Sequence, residues 1–169
     1  MDAINLSPIE GKPGTLTADE LEKAMREMVR VQKEMGSDLA KLGNANYVAK
    51  QLFEMSQRGQ VYKYYKSGVF VGLMAFDVAF LWWLEKPLLI EQLVLSCDKD
   101  AKGVQREALK TLDYLATKEY PFVAGIASGC LFLKQPQIVM NAYKKNGYTQ
   151  AAPTALKIFD WSMSRKRGN

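Results

Sequence analysis

The chain contains no histidine. That absence removes Ser-His-Asp and Cys-His nucleophilic machinery, in which an imidazole takes the proton of the nucleophile. Cysteine is almost as scarce. Cys97 and Cys130 are the only two, too few for a structural zinc site and wrongly spaced for a redox pair. The stretch Gly125-Ile126-Ala127-Ser128-Gly129 has the look of a nucleophile elbow, but its spacing is wrong and no base exists to serve it. Any proton transfer must therefore use Glu, Asp, Tyr, Lys, Cys or ordered water. Free thiols suit a reducing compartment, and the polar N-terminus lacks a basic-then-apolar leader pattern, so a cytoplasmic location is expected.

Long apolar runs are also missing, with one exception at Val69 to Leu84. It is shorter than a bilayer span, contains Asp77, and has the aromatic and β-branched character of a strand, so no membrane span is expected. What remains is an ordinary globular composition: 169 residues, 48% apolar and 24% charged. One domain spanning 1–169 is the expectation, with 1–17 as loop or short strand and 164–169 as a basic tail. The net charge is +5 and the pI about 9.1. Much of the excess sits in Arg165-Lys166-Arg167, which reads as a solvated end, so nucleic acid is not the expected partner.

Along the chain, a short strand is expected around Ile4 to Ile9. Thr17 then starts a helix, with Glu20 completing a capping box. Leu21, Met25, Met28, Met35 and Leu39, with Gln32 filling the remaining place, form its apolar stripe, and Gly36 ends it. Asn44 or Asn46 caps a second helix from Tyr47 to about Arg58, closed by Gly59. From Val61 the period changes to two. Val61 to Lys66 is a strand, Ser67-Gly68 a tight turn, and Val69 to about Phe80 a strand apolar on both faces and therefore central. Leu88 to Cys97 is the next strand, feeding through a charged loop into a helix from Gly103 to about Lys118. Pro121 to Ala127 reads as a strand, Gln135 to Asn146 as a helix with Gly147 just past its end, and Ala155 to Met163 as the last strand.

A strand that runs into a glycine-opened helix makes an anion site, because the first-turn N–H groups lack internal partners and the dipole end is positive. Asp100-Ala101-Lys102-Gly103-Val104-Gln105 sits at that junction, and Tyr143-Lys144-Lys145-Asn146-Gly147-Tyr148 follows later. With this element order, the two motifs resemble the GCN5-related N-acetyltransferase (GNAT) family. The resemblance covers about Val61 to Met163 in detail. It implies an α/β (α+β) fold with a mixed central sheet of about six or seven strands and about four flanking helices.

By that resemblance the ligand is acetyl-CoA or CoA. Leu95 and Cys97 would offer backbone groups to the pantetheine arm, and Ala101, Lys102, Gly103, Val104, Gln105 and Arg106 would cradle the phosphates. Tyr143 would protonate the leaving thiolate, and Glu91 would accept the proton of an unidentified amine, on a small molecule or a protein. Two residues depart from the family pattern. Asp100 stands where Arg or Gln is usual, and Gln105 replaces a Gly or Ala. A second reading is a non-catalytic structural or binding protein on the same fold, of the kind found among tailed-phage virion components. Self-association or assembly with other proteins is compatible with either.

Overall fold

The structure is a computed structural model, and it describes residues 8–35, 43–82, 84–98, 102–128 and 136–149. Among these residues five strands form one sheet in the order β1-β2-β3-β4-β5. They are β1 (Ile9–Pro13), β2 (Val61–Lys66), β3 (Val69–Ala79), β4 (Leu88–Ser96) and β5 (Gly125–Ala127). The first four pair antiparallel and β5 pairs parallel to β4. The described residues also form four α-helices, which flank the sheet: α1 (Ala18–Met35), α2 (Ala45–Gln57), α3 (Val104–Tyr114) and α4 (Pro136–Lys145). Among the described residues no helix is long and apolar enough to cross a membrane. The expected strand at Ala155 to Met163 lies outside the described residues.

The middle strand is the one whose sequence is apolar on both faces. Phe70 to Phe76 is buried without a break. One side packs with Tyr64 and Leu89 under Val104, Ala108, Leu112 and Leu115 of the α3 segment. The other side, through Phe70, Leu73 and Ala75, packs with Leu95 under Ala24 of α1 and Leu52 of α2. Two apolar layers thus enclose the sheet, and each fully buried large side chain contributes about 1.5–3 kcal/mol. The β2–β3 turn follows from its residues. Ser67 and Gly68 both have positive φ, 50° and 78°, the pattern whose twist matches a two-residue hairpin.

The capping box at α1 is complete. The Thr17 N–H donates to Glu20 Oε2 at 2.9 Å, and the Glu20 N–H donates to Thr17 Oγ1 at 3.2 Å. Glu20 continues into the core, where Lys63 Nζ donates to its Oε2 at 3.0 Å and Tyr65 Oη donates to its Oε1. That satisfied carboxylate turns the helix. Its deepest residues are Glu20 and Ala24, at 8% and 0% exposure, while Met25 and Met28 of the expected stripe are only half-buried. Leu39 and the expected stop at Gly36 lie outside the described residues. Asn44 caps α2, accepting from the Tyr47 N–H at 3.0 Å.

Other boundaries differ from the sequence reading. The first described strand is Ile9–Pro13, which meets the expected Ile4 to Ile9 strand only at Ile9; of that stretch only Pro8 and Ile9 are described. Proline is tolerated there because β1 is an edge strand. The third helix stays α-helical only to Tyr114, then widens into a π turn at Leu115–Glu119 closed by the Tyr120 N–H on Leu115 O at 2.7 Å. Pro121 to Ala124 is turn, not strand. Only Gly125–Ala127 pairs with β4.

The β3–β4 register slips once. Ala75 faces Leu93 while Phe76 faces Glu91, so β4 carries an extra residue, Gln92. Such a bulge changes which alternate side chains face which layer. Leu89, before it, packs with α3, whereas Leu93 and Leu95, after it, pack with α1 and α2. Glu91 stands immediately before the bulge.

Candidate active site

The site begins where β4 ends. The β4–β5 ladder consists of Leu88–Gly125, Leu89–Ile126 and Ile90–Ala127. Beyond Ile90, β4 has no described partner on that side. The Cys97 N–H is committed to β3, donating to Val71 O at 2.8 Å, which leaves its carbonyl as the group it could offer a ligand. Burial, and next the nearby Glu27 charge, pushes the Cys97 thiol up to about 12, so it stays protonated. Leu95 is buried in register with Leu73 of β3.

Gly103 caps α3 with φ at +115° and no side-chain hydrogen bond to the helix. Any other residue would be strained in that conformation. The first turn closes with the Glu107 N–H on Gly103 O at 3.0 Å, which leaves the amides ahead of it without an intrahelical acceptor. Gly72 of β3 lets this end approach the sheet. A Cβ there would overlap the Leu95 carbonyl oxygen and lie 2.9 Å from Val104 Cγ1. In front of the helix end is an open cleft of about 300 Å³, lined by Glu27, Arg30, Ser96, Asp98, Lys102 and residues 103–105. Its charge is mixed, because Arg30 is held by Glu27 and Glu34. Lys102 and Arg106 are exposed. Ala101 and Asp100 lie outside the described residues.

Behind that helix end the structure brings the two expected reacting side chains together. Tyr143 is 2% exposed. Its Oη donates to the Glu91 carboxylate, 2.6 Å from Oε1 and 2.8 Å from Oε2. Gln105 Nε2 donates to the same Oη at 3.3 Å. Burial raises the Glu91 carboxyl above its ordinary value, and the hydrogen bond from Tyr143, with the Ser128 hydroxyl facing it, only partly offsets this. No cation among the described residues faces it. Burial, then the bond to Glu91, holds the Tyr143 phenol far above the usual tyrosine range, with Gln105 pulling it partly back.

Two members of the cluster escaped the sequence reading. Ser128 Oγ faces both Glu91 and Tyr148, yet neither it nor Tyr148 Oη completes a hydrogen bond among the described residues. Tyr148 packs on Tyr143 at 5.2 Å between ring centroids, and burial pushes its phenol up to about 12. A Schellman cap sets its position: Gly147 (φ +86°) donates to Lys144 O and Tyr148 to Tyr143 O. The aromatic after the capping glycine was the available signal. For Ser128 the elbow-like stretch around it pointed to the wrong chemistry.

The arrangement of helices around this split mixed sheet also occurs in solved structures. A GCN5-related N-acetyltransferase from Ralstonia eutropha JMP134 is 12% identical, with 89% of this chain and 99% of that chain covered and a TM-score of 0.66. The fold is that of the GNAT acetyltransferases. A possible acetyltransferase from Clostridium difficile 630 is 14% identical over 90% of this chain and 97% of that one, at a TM-score of 0.65. The GNAT fold is shared too by the aminoglycoside N-acetyltransferase AAC(6')-Iy in complex with CoA, at 9% identity, 90% and 93% coverage and a TM-score of 0.58. No protein-family model matches the chain, and no curated protein sequence matches it.

Within this GNAT fold the expected cradle and the expected pair are neighbours, joined by Gln105. A wider hollow of about 410 Å³ lies elsewhere, between β1, β2 and α3, lined by Tyr62, Tyr64, Thr111 and Tyr114 among others. It contains none of the expected site residues.

Proposed function

We propose that the chain is an acetyl-CoA-dependent N-acetyltransferase acting by direct attack of an amine on the thioester. The observation that carries this reading is the hydrogen-bonded pair of buried Tyr143 and half-buried Glu91, behind a glycine-opened helix N-terminus on a GNAT sheet. The cradle fits a diphosphate: several first-turn amides converge on a cleft beside a residue with no Cβ in the way. Residues 103–106, with Lys102 at the rim, would hold the phosphates, and the Leu95 and Cys97 backbone would align the pantetheine arm. The bound group would supply an activated acetyl carbon.

The protein's own side chains supply the proton handling. A half-buried carboxylate that no cation faces among the described residues gains from protonation, which suits Glu91 to receive the proton of the attacking amine. A phenol kept neutral suits Tyr143 to give one to the departing sulfur. No covalent intermediate is needed, in keeping with a chain that lacks histidine.

Calorimetric titration with CoA and acetyl-CoA, followed by thiol-release assays on a panel of aminoglycosides, polyamines and lysine peptides, tests the reading. Aminoglycosides head the panel because aminoglycoside acetyltransferases are among the similar structures. Tyr143→Phe should lower kcat by about 10²–10⁴-fold. Acetyl-CoA that binds without being consumed on any amine would sink the enzyme reading.

The second reading, a non-catalytic protein on the same fold, draws on the same pair. Tyr143 is 2% exposed and its hydroxyl is already engaged. Absence of any CoA binding, persisting in Asp100→Arg, would favour it. The similar structures lend no support to a phage origin.

A further inference from the structure

We propose that Gln105 is the positioning residue of this site, its side-chain amide holding the Tyr143 oxygen while the phenol gives up one proton and receives another from Glu91. This rests on the transferase reading above. The directions of the hydrogen bonds follow from chemistry. A carboxylate only accepts, so the Tyr143 O–H points to Glu91, 2.6 Å away. The lone pairs of the phenol oxygen then face Gln105, whose Nε2 at 3.3 Å must donate.

The same oxygen would keep this donor as a phenolate, when it becomes acceptor-only and gains most from an N–H aimed at it. The Gly or Ala usual at this place could offer no such group. Gln105 is also the second residue of α3 and lines the cleft at the helix end. Its backbone amide thus belongs to the anion cradle, while its side chain reaches back to the phenol. One residue touches both halves of the site.

The proton balance closes within the cluster. The amine nitrogen bonds to the acetyl carbon as the carbon–sulfur bond breaks. The amine's surplus proton goes to Glu91, the Tyr143 proton goes to the thiolate sulfur, and the Glu91 proton passes across the 2.6 Å contact to the Tyr143 oxygen. The products are an amide and a free thiol, and both side chains return to their starting states. Gln105 exchanges no proton. It keeps the Tyr143 oxygen in line between Glu91 and the cleft.

The test uses the full chain and two variants. Gln105→Met keeps the length and bulk but deletes the donor, and Gln105→Ala deletes both. The first readout needs no acceptor: the downfield hydroxyl proton resonance of Tyr143, assigned by its loss in Tyr143→Phe. Both variants should shift it in the same direction. The second is steady-state transfer to whichever amine of the panel reacts, where both variants should lower kcat about 10–100-fold and leave KM for acetyl-CoA within about twofold.

A Gln105→Met protein with wild-type kcat would show that the side chain only fills space and would overturn the proposal. So would a loss carried by KM, or a resonance unmoved in both variants of a wild type that does transfer acetyl groups. If the wild type acetylates no amine, the transferase reading fails and this proposal with it. A resonance that still shifts in Gln105→Met would identify that outcome as failure of the chemistry and not of the hydrogen-bond chain.

Discussion

Glu20 and Glu91 are both carboxylates drawn into the interior, and both accept a hydrogen bond from a tyrosine. Among the described residues their surroundings differ by a cation. Glu20 also binds Lys63 and the Thr17 N–H. Burial pushes its carboxyl up, but Tyr65, Thr17 and Lys63 together bring it below the ordinary value. Glu91 has Tyr143 and a facing Ser128, and burial wins. The first cluster is charge-balanced and ties α1 to β2, a structural joint. The second has no compensating cation among the described residues and sits in a partly desolvated place, a cost that folding alone gives no reason to retain.

The comparison is most easily broken at Lys63. Its side chain and that of Glu20 are each 10% exposed. Lys63→Ala strands the Glu20 carboxylate and should cost about 3–5 kcal/mol in urea unfolding. If the loss is under about 1 kcal/mol, the joint is solvated and the contrast with Glu91 disappears.

Removing the tyrosine hydroxyls sharpens it next. Tyr143→Phe takes the well-formed donor from Glu91 and should cost about 1–3 kcal/mol, the penalty of an unsatisfied buried acceptor. Tyr65→Phe leaves Glu20 with two other donors and should cost less, about 0.5–1.5 kcal/mol by the same unfolding measurement.

The pH dependence separates the two carboxyls by sign. Glu20 lies below its ordinary 4.5 when folded, so its contribution is complete above that value and is lost as pH falls through the folded one. The deficit of Glu20→Gln should therefore be constant above pH 4.5 and shrink below it. Glu91 lies above 4.5, so the folded state holds its proton longer and stability declines as pH climbs from 4.5 to the folded value. Glu91→Gln should escape that decline, gaining on the wild type as pH rises in thermal melts. A parallel pair of curves would refute the assignment. The smallest effect belongs to Thr17→Ala, about 1 kcal/mol for the lost cap.

Local signals were legible in the sequence wherever one short rule decided the outcome. The capping box at Thr17 and Glu20, the Ser67-Gly68 turn, the β2 limits at Val61 and Lys66, and the glycine opening α3 all follow from chemistry within a few residues. Features set by distant partners were not legible. Ala24 displaces the methionine stripe because Lys63 and Tyr65, far along the chain, hold Glu20 inward. The Gln92 bulge depends on register with Ala75 and Phe76, and the π turn after Tyr114 leaves no mark in a helical periodicity. For the candidate site, the family resemblance points to Glu91 and to Tyr143, each by itself. Their contact, and the arm of Gln105 that reaches them, required the fold.

The extra residue at Gln92 has a consequence for how this chain can vary. Gln92 is exposed, so replacing it with another polar residue should matter little. Deleting it should spare the interior as well. Glu91 would still face Phe76 and Leu93 would still face Ala75, now in unbroken alternation, so Leu93, Val94 and Leu95 would keep the layers they occupy. The strand can thus shorten here without rewiring its core, and a gap at Gln92 in any related chain would mark a straighter strand around the same interior.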